Sequence, residues 1–274
     1  MSMFTKMGEA AAQATNNDGG GKESPITSFK SGTTLKVGVK SVNDVAEYYG
    51  YGIYKKVNTF VPKNPAVRNA RGYIDSSPSA WDRASDVLYA DAKKAEEGGA
   101  SEADVKAIKD EAGLFRGKKR YLRAFFDLTT GKDIVVDVSP TQEATLKAVI
   151  EENIDDLDVV AFKLAKKGEG KNAVVSLSAI IKMERDLTDE ERTNFAKLTE
   201  APFELSSFET CLFVADEAEQ KTNLVIAGFD IGRLGLSIGA NSGNNANSTQ
   251  QTDDSVPITD DDAPIDISDD DLPF

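Results

Sequence analysis

The chain has 274 residues, with 46 acidic and 32 basic side chains and a formal net charge of −14. Histidine is absent and Cys211 is the sole cysteine. That excludes a Ser-His-Asp triad, a Cys-His dyad, a His-ligated metal, an internal disulfide and a cysteine-built zinc module. Hydrophobic residues make up 40% of the chain, enough to build a core. No apolar run approaches the roughly 20 residues that span a bilayer. The opening MSMFTKMGEA lacks the basic-then-apolar pattern of a signal peptide. The expectation is a soluble, cytoplasmic protein without membrane contact.

The charge is unevenly placed. The last basic residue is Arg233, and nine aspartates follow it: Asp253, Asp254, Asp260, Asp261, Asp262, Asp266, Asp269, Asp270 and Asp271. Without these nine, 37 acids face 32 bases. A body that near neutrality can carry a basic groove despite the acidic whole.

In chain order, residues 1–24 read as a flexible arm rich in Ala, Asn and Gly. Residues 25–235 hold nearly all aromatic and β-branched residues and read as one core. Strands are expected in 33–40 (TTLKVGVK) and 51–61 (YGIYKKVNTFV). Pro78 to Glu97 reads as a helix, and Ser101 with Asp104 opens a second one, so 75–112 is a helical insertion. Lys118 to Leu128 and Ile134 to Val138 are strands joined by Thr129-Thr130-Gly131-Lys132. Ser139-Pro140 starts a helix that places Leu146, Val149 and Ile150 on one face. Strands follow in 158–165 and 173–180, around the turn 166–172. Thr188 and Glu191 form a capping box for a helix through Leu198. The apolar runs within 203–231 pack back on the core. Residues 236–252 form a linker, uncharged and rich in Gly, Asn and Ser. It cannot bury enough apolar area to offset chain entropy. Residues 253–274 form a disordered acidic tail whose aspartates repel one another.

Strand, strand, helix, strand, strand, with one or two earlier strands, is the order of an OB-fold. The expected class is mainly β with α insertions: an OB-fold-like five-stranded barrel with a helical insertion and an acidic tail.

Three stretches interleave cations with rings. The first runs Tyr48, Tyr49, Tyr51, Tyr54, Lys55, Lys56, Phe60, Lys63, Arg68, Arg71 and Tyr73. The second has Phe115, Arg116, Lys118, Lys119, Arg120, Tyr121, Arg123, Phe125 and Phe126. The third is Lys163, Lys166, Lys167 and Lys171 at a hairpin turn. Single-stranded DNA calls for this mixture. Cations neutralise phosphates, and flat rings stack on bases at about 1–3 kcal/mol each without reading sequence. The candidate contacts are Tyr54, Lys55, Lys56, Phe60, Lys63, Arg68, Arg71, Tyr73, Arg116, Lys118, Lys119, Arg120, Tyr121, Arg123, Phe125, Lys163, Lys166, Lys167 and Lys171. Core packing competes for each ring, because Tyr121, Arg123 and Phe125 share one strand face that can point either way.

The terminus is Asp269-Asp270-Asp271-Leu272-Pro273-Phe274. Such an end can dock on a basic rim with its ring in an apolar hole, and Pro273 lowers the entropy lost. This ending, after a Gly/Asn/Gln-rich linker, resembles that of bacterial single-stranded DNA-binding proteins. The stretch from Tyr121 to Leu177 is similar in style to the core of phage helix-destabilising proteins, including those of T-even phages. Unlike the T-even proteins, this chain has no Cys/His zinc subdomain. Its arm has only Lys6 and Lys22, where that family uses a basic arm for self-association.

The resemblance implies sequence-independent single-stranded DNA binding in phage replication, recombination or repair, inside the bacterial host cytoplasm. The six tail residues would recruit a polymerase, helicase or primase. No cofactor and no catalysis are expected. An acidic DNA mimic or adaptor for a DNA-processing enzyme is the alternative, and a metal-dependent nuclease a third reading. Enzyme signals are sparse: Gly228, Gly232, Gly235 and Gly239 lack a strand-helix context, Asp155-Asp156 reads as surface charge, and Cys211 reads as buried.

Overall fold

Local signals in the sequence set most element boundaries. The computed structural model describes residues 26–168 and 172–237. The arm, the linker beyond Ser237 and the tail lie outside them. The strands are β1 (Thr34–Gly38), β2 (Val45–Ile53), β3 (Val57–Pro62), β4 (Val67–Arg68), β5 (Ile74–Ser76), β6 (Lys118–Asp127), β7 (Lys132–Val138), β8 (Ala161–Lys167), β9 (Val174–Ile180) and β10 (Val214–Ala215). The helices are α1 (Ala80–Glu97), α2 (Glu102–Leu114), α3 (Pro140–Glu152), α4 (Met183–Asp186), α5 (Asp189–Phe195) and α6 (Glu217–Ala227). The protein is mixed α/β, with a large sheet and several helices. None of the described helices is long and apolar enough to cross a membrane.

The chain divides into two units. The first comprises the described residues up to Glu47, with Arg120–Gly168 and Val174–Leu212; the second comprises Tyr48–Lys119, Asn172, Ala173 and the described residues from Phe213 onward.

In the first unit, β6 and β7 form a hairpin in register from Tyr121↔Val138 to Asp127↔Lys132. Its turn needs Gly131 at φ +66°, and the Asp127 carboxylate accepts from Thr129 N (3.1 Å) and the Thr130 hydroxyl (2.8 Å). β1 pairs antiparallel with both β6 and β8, and β8 pairs with β9. The strand order is therefore β7-β6-β1-β8-β9. α3 starts at Ser139 and Pro140 as expected, with a full Ser139/Gln142 capping box, and it packs against β9. Val37, Phe125, Val138, Leu146, Phe162 and Leu164 fill the core between them.

The expected closed barrel is not what forms. Among the described residues β7 and β9 do not pair. The outer edge of β7 is instead occupied by the N-terminal segment: Ile26 bridges Val135, and Thr27 N donates to Val135 O at 2.8 Å. α5 begins with the expected Thr188/Glu191 box but ends at Phe195, short of Leu198.

In the second unit, the strand expected over 51–61 is two strands. The chain reverses at Tyr54-Lys55-Lys56, with Lys55 at φ +62° and Lys56 N donating to Ile53 O at 2.9 Å. No glycine or proline marks this turn, so its sequence reads as strand. β2 pairs with β3, and β10 runs parallel to β3. The expected helical insertion is α1 and α2, and it brings its own core. Trp81 is fully buried; its ring meets Tyr51, Phe60 and Phe115, and its indole N–H donates to Gln220 O at 3.2 Å. Leu224, Ala227, Phe229 and Ile231 close this core, as the apolar runs in 203–231 suggested.

Candidate nucleic-acid interface

Four of the expected DNA contacts face inward. Phe60 and Phe125 are 1% and 2% exposed and belong to the two cores. Arg123 is fully buried: its guanidinium donates to both Glu143 oxygens and, at 2.8 Å, to Val42 O. β6 is buried on both faces from Leu122 to Asp127, so the Tyr121/Arg123/Phe125 face makes no stacking platform. Arg68 donates to Gly72 O (3.0 Å), Tyr51 Oη (3.1 Å) and Asp82 Oδ1 (3.3 Å), and its side chain is 10% exposed. With its donors engaged inside the protein, Arg68 is not a phosphate ligand.

The remaining described contacts divide between the two units. In the second unit, Tyr54, Lys55, Lys56, Lys63, Arg71 and Tyr73 are exposed, while Arg116, Lys118 and Lys119 are half-buried. Lys56 also reaches Ala227 O at 3.3 Å. Rings and cations pair repeatedly here. Arg68 stacks 4.0 Å from the centre of the Tyr49 ring, and Lys119 Nζ lies 5.8 Å from the same ring. Arg116 sits 5.6 Å from Tyr89, and Lys55 sits 5.3 Å from Tyr54. Tyr49 and Tyr89 are half-buried against the core of this unit, whereas Tyr54 is exposed.

In the first unit, β8 buries Ala161, Phe162, Leu164 and Ala165, leaves Lys166 half-buried and exposes Lys163 and Lys167. Lys163 and Lys167 are exposed and have no acidic partner among the described residues. Lys166 lies over Phe29, 5.7 Å from its centroid. Burial pushes the Lys166 ammonium below its ordinary pKa, the Arg120 charge lowers it further, and Asp137 only partly offsets this. Arg120 is held by Asp137 at 2.9 Å, and the Tyr121 hydroxyl donates to Glu47 at 2.8 Å. Lys171 and the tail residues Asp269 to Phe274 lie outside the described residues.

The candidate contacts include Tyr54 but not Tyr49, Tyr89 or Phe29, three further rings that meet cations. Tyr49 carried a signal, since it lies in the Tyr48–Tyr54 run; Phe29 and Tyr89 carried none, because their cations are far along the chain.

The first unit also has a cavity of about 430 Å³ lined by Val39, Lys40, Ile154, Leu157, Asp158, Leu198, Thr199, Ala201 and Pro202. Lys40 is bound to Asp133 at 2.8 Å, so its charge is already paired, and Asp158 adds a carboxylate to the wall. Among the described residues, no three or more acidic or cysteine side chains gather as a metal site. Cys211 is buried, and burial pushes its thiol pKa up.

In comparisons with protein-family models, curated proteins and solved structures, nothing matched this chain.

Proposed function

We propose that this chain is a non-enzymatic, sequence-independent single-stranded DNA-binding protein of phage type, acting without a cofactor in replication, recombination or repair. The observation that carries the reading is the set of ring–cation pairs in the second unit: Tyr49 with Lys119, Tyr89 with Arg116, and Tyr54 with Lys55. A strand with its bases unstacked needs such rings beside phosphate-neutralising cations. Two further features support it. In the first unit a helix falls between the third and fourth of the strands β1, β6, β7, β8 and β9, the chain order expected of an OB-fold. Lys163 and Lys167 add exposed cations on one face of β8.

The tail imitates the ligand. Its nine aspartates compete with DNA for the cationic surface. When DNA takes that surface, Leu272-Pro273-Phe274 is released to recruit replication proteins. Binding of oligo-dT, followed by fluorescence anisotropy, tests both halves. Truncation after Thr252 is expected to tighten binding at low salt and to abolish capture of the replication proteins. Unchanged affinity with intact capture overturns the tail mechanism. Failure of both the full and the truncated chain to bind oligo-dT in dilute buffer overturns the DNA-binding reading and favours the adaptor alternative.

A further inference from the structure

We propose that the β4–β5 hairpin is a preformed finger for unpaired nucleotides and that Arg68 is the positioning residue that sets it. The inference rests on the single-stranded DNA reading and deepens it.

The hairpin has almost no sheet of its own. β4 and β5 pair only at Val67↔Ser76 and Arg68↔Ile74. A two-stranded ribbon of that size is marginal in water. Its tip is tied by one side chain: Asn69 Oδ1 accepts from Arg71 N (2.9 Å) and Tyr73 N (3.1 Å). Gly72 makes the turn at φ +85°, where a Cβ would lie 2.8 Å from Tyr49 Oη. The tip therefore rests on Tyr49 through a glycine that admits no side chain.

Arg68 fixes the base. Its planar fork meets three acceptors at once: Gly72 O within the hairpin, and Tyr51 Oη and Asp82 Oδ1 below it. Its face stacks on Tyr49. Asp82 is 1% exposed and also accepts from the Tyr51 hydroxyl (2.8 Å), Ser79 N (2.9 Å) and Ser79 Oγ (2.6 Å). A single buried carboxylate at the start of α1 thus anchors the hairpin through Arg68. Lysine cannot replace this geometry, because it has charge but no fork.

The mount holds up Arg71, which is exposed and has no ion pair among the described residues, and Tyr73, 40% exposed. Cation and ring stand two residues apart on a tip that is already ordered. A base stacking on Tyr73 loses less entropy than it would on a mobile loop. Arg68 touches no ligand in this scheme.

Oligo-dT affinity of the full-length protein tests the proposal, with the emission of Trp81, the sole tryptophan, and the urea midpoint as structural controls. Tyr73→Ala is expected to weaken binding about 5- to 150-fold, the range of one lost base stack, with both controls unchanged. Arg68→Lys is expected to weaken binding similarly in the parent and to add little in an Arg71→Ala/Tyr73→Ala background, since the finger is already blunt. Parent-like affinity of Arg71→Ala/Tyr73→Ala overturns the proposal. So does an equal loss from Arg68→Lys in both backgrounds, which marks a general structural role. Because these outcomes are read in a parent that binds oligo-dT, they are separate from failure of the DNA-binding reading itself.

Discussion

Arg123 and Glu143 form a buried ion pair, with the arginine also bound to the Val42 carbonyl at 2.8 Å. The pair links the middle of β6 to the first turn of α3. Removing one partner strands the other charge away from water, which costs about 3–5 kcal/mol. Glu143→Leu and Arg123→Met are each expected to lower the unfolding free energy by that much, read from urea unfolding. The double replacement is expected to recover most of the loss, because no unpaired charge remains. Equal loss in single and double variants would show that packing, not charge pairing, matters here.

Tyr51 gives an alkaline signature. Burial pushes its phenol well above the ordinary value near 10, and the neighbouring Asp82 charge pushes it further, against the opposing pull of Arg68. The unfolded chain then loses this proton at a lower pH than the folded one. The stability it contributes is fully present below pH about 10 and is lost as pH rises above that. Urea midpoints measured through the alkaline range are expected to fall more steeply for the parent than for Tyr51→Phe.

Lys166 is expected to couple proton uptake to oligo-dT binding. Burial, then the Arg120 charge, lowers its pKa in the free protein. The folded protein therefore sheds this proton before the unfolded chain does, and the stability it contributes rises as pH climbs through that interval. A phosphate beside the ammonium favours the charged form and reverses the shift. Binding is expected to take up protons, and oligo-dT affinity to fall as pH rises from neutral toward 10.5, the ordinary lysine value. Calorimetry in buffers of different ionisation enthalpy measures the uptake. Lys166→Arg is expected to abolish it.

Lys163 and Lys167 are expected to act through charge alone. Each neutralised phosphate contributes about −0.7 to the slope of log affinity against log salt for a single strand. Lys163→Gln and Lys167→Gln are each expected to make the slope shallower by about that amount, with the urea midpoint unchanged. A slope that does not move places β8 outside the interface.

Gly117 sits where no side chain fits. A Cβ there would lie 2.6 Å from Tyr51 Cζ, within a ring already held by Asp82. Gly117→Ala is expected to cost about 1–3 kcal/mol by overpacking, read from urea unfolding and a changed Trp81 emission.

The sequence by itself determined the elements whose signals are local. The Gly131 turn, the Ser139-Pro140 helix start and the Thr188/Glu191 box each act within four residues, and each forms as read. The same holds for the helices of the insertion and the burial of Cys211. The tertiary structure alone decided which cations and rings face out. Arg123 turns inward for Glu143, 20 positions on, and Arg68 for Asp82, 14 positions on. Phe60 is buried because Trp81 meets its ring, and β7 stays unpaired with β9 because Ile26 and Thr27 occupy its edge. Alternation along a strand tells which residues share a face, but what covers that face comes from distant chain, and only packing supplies it.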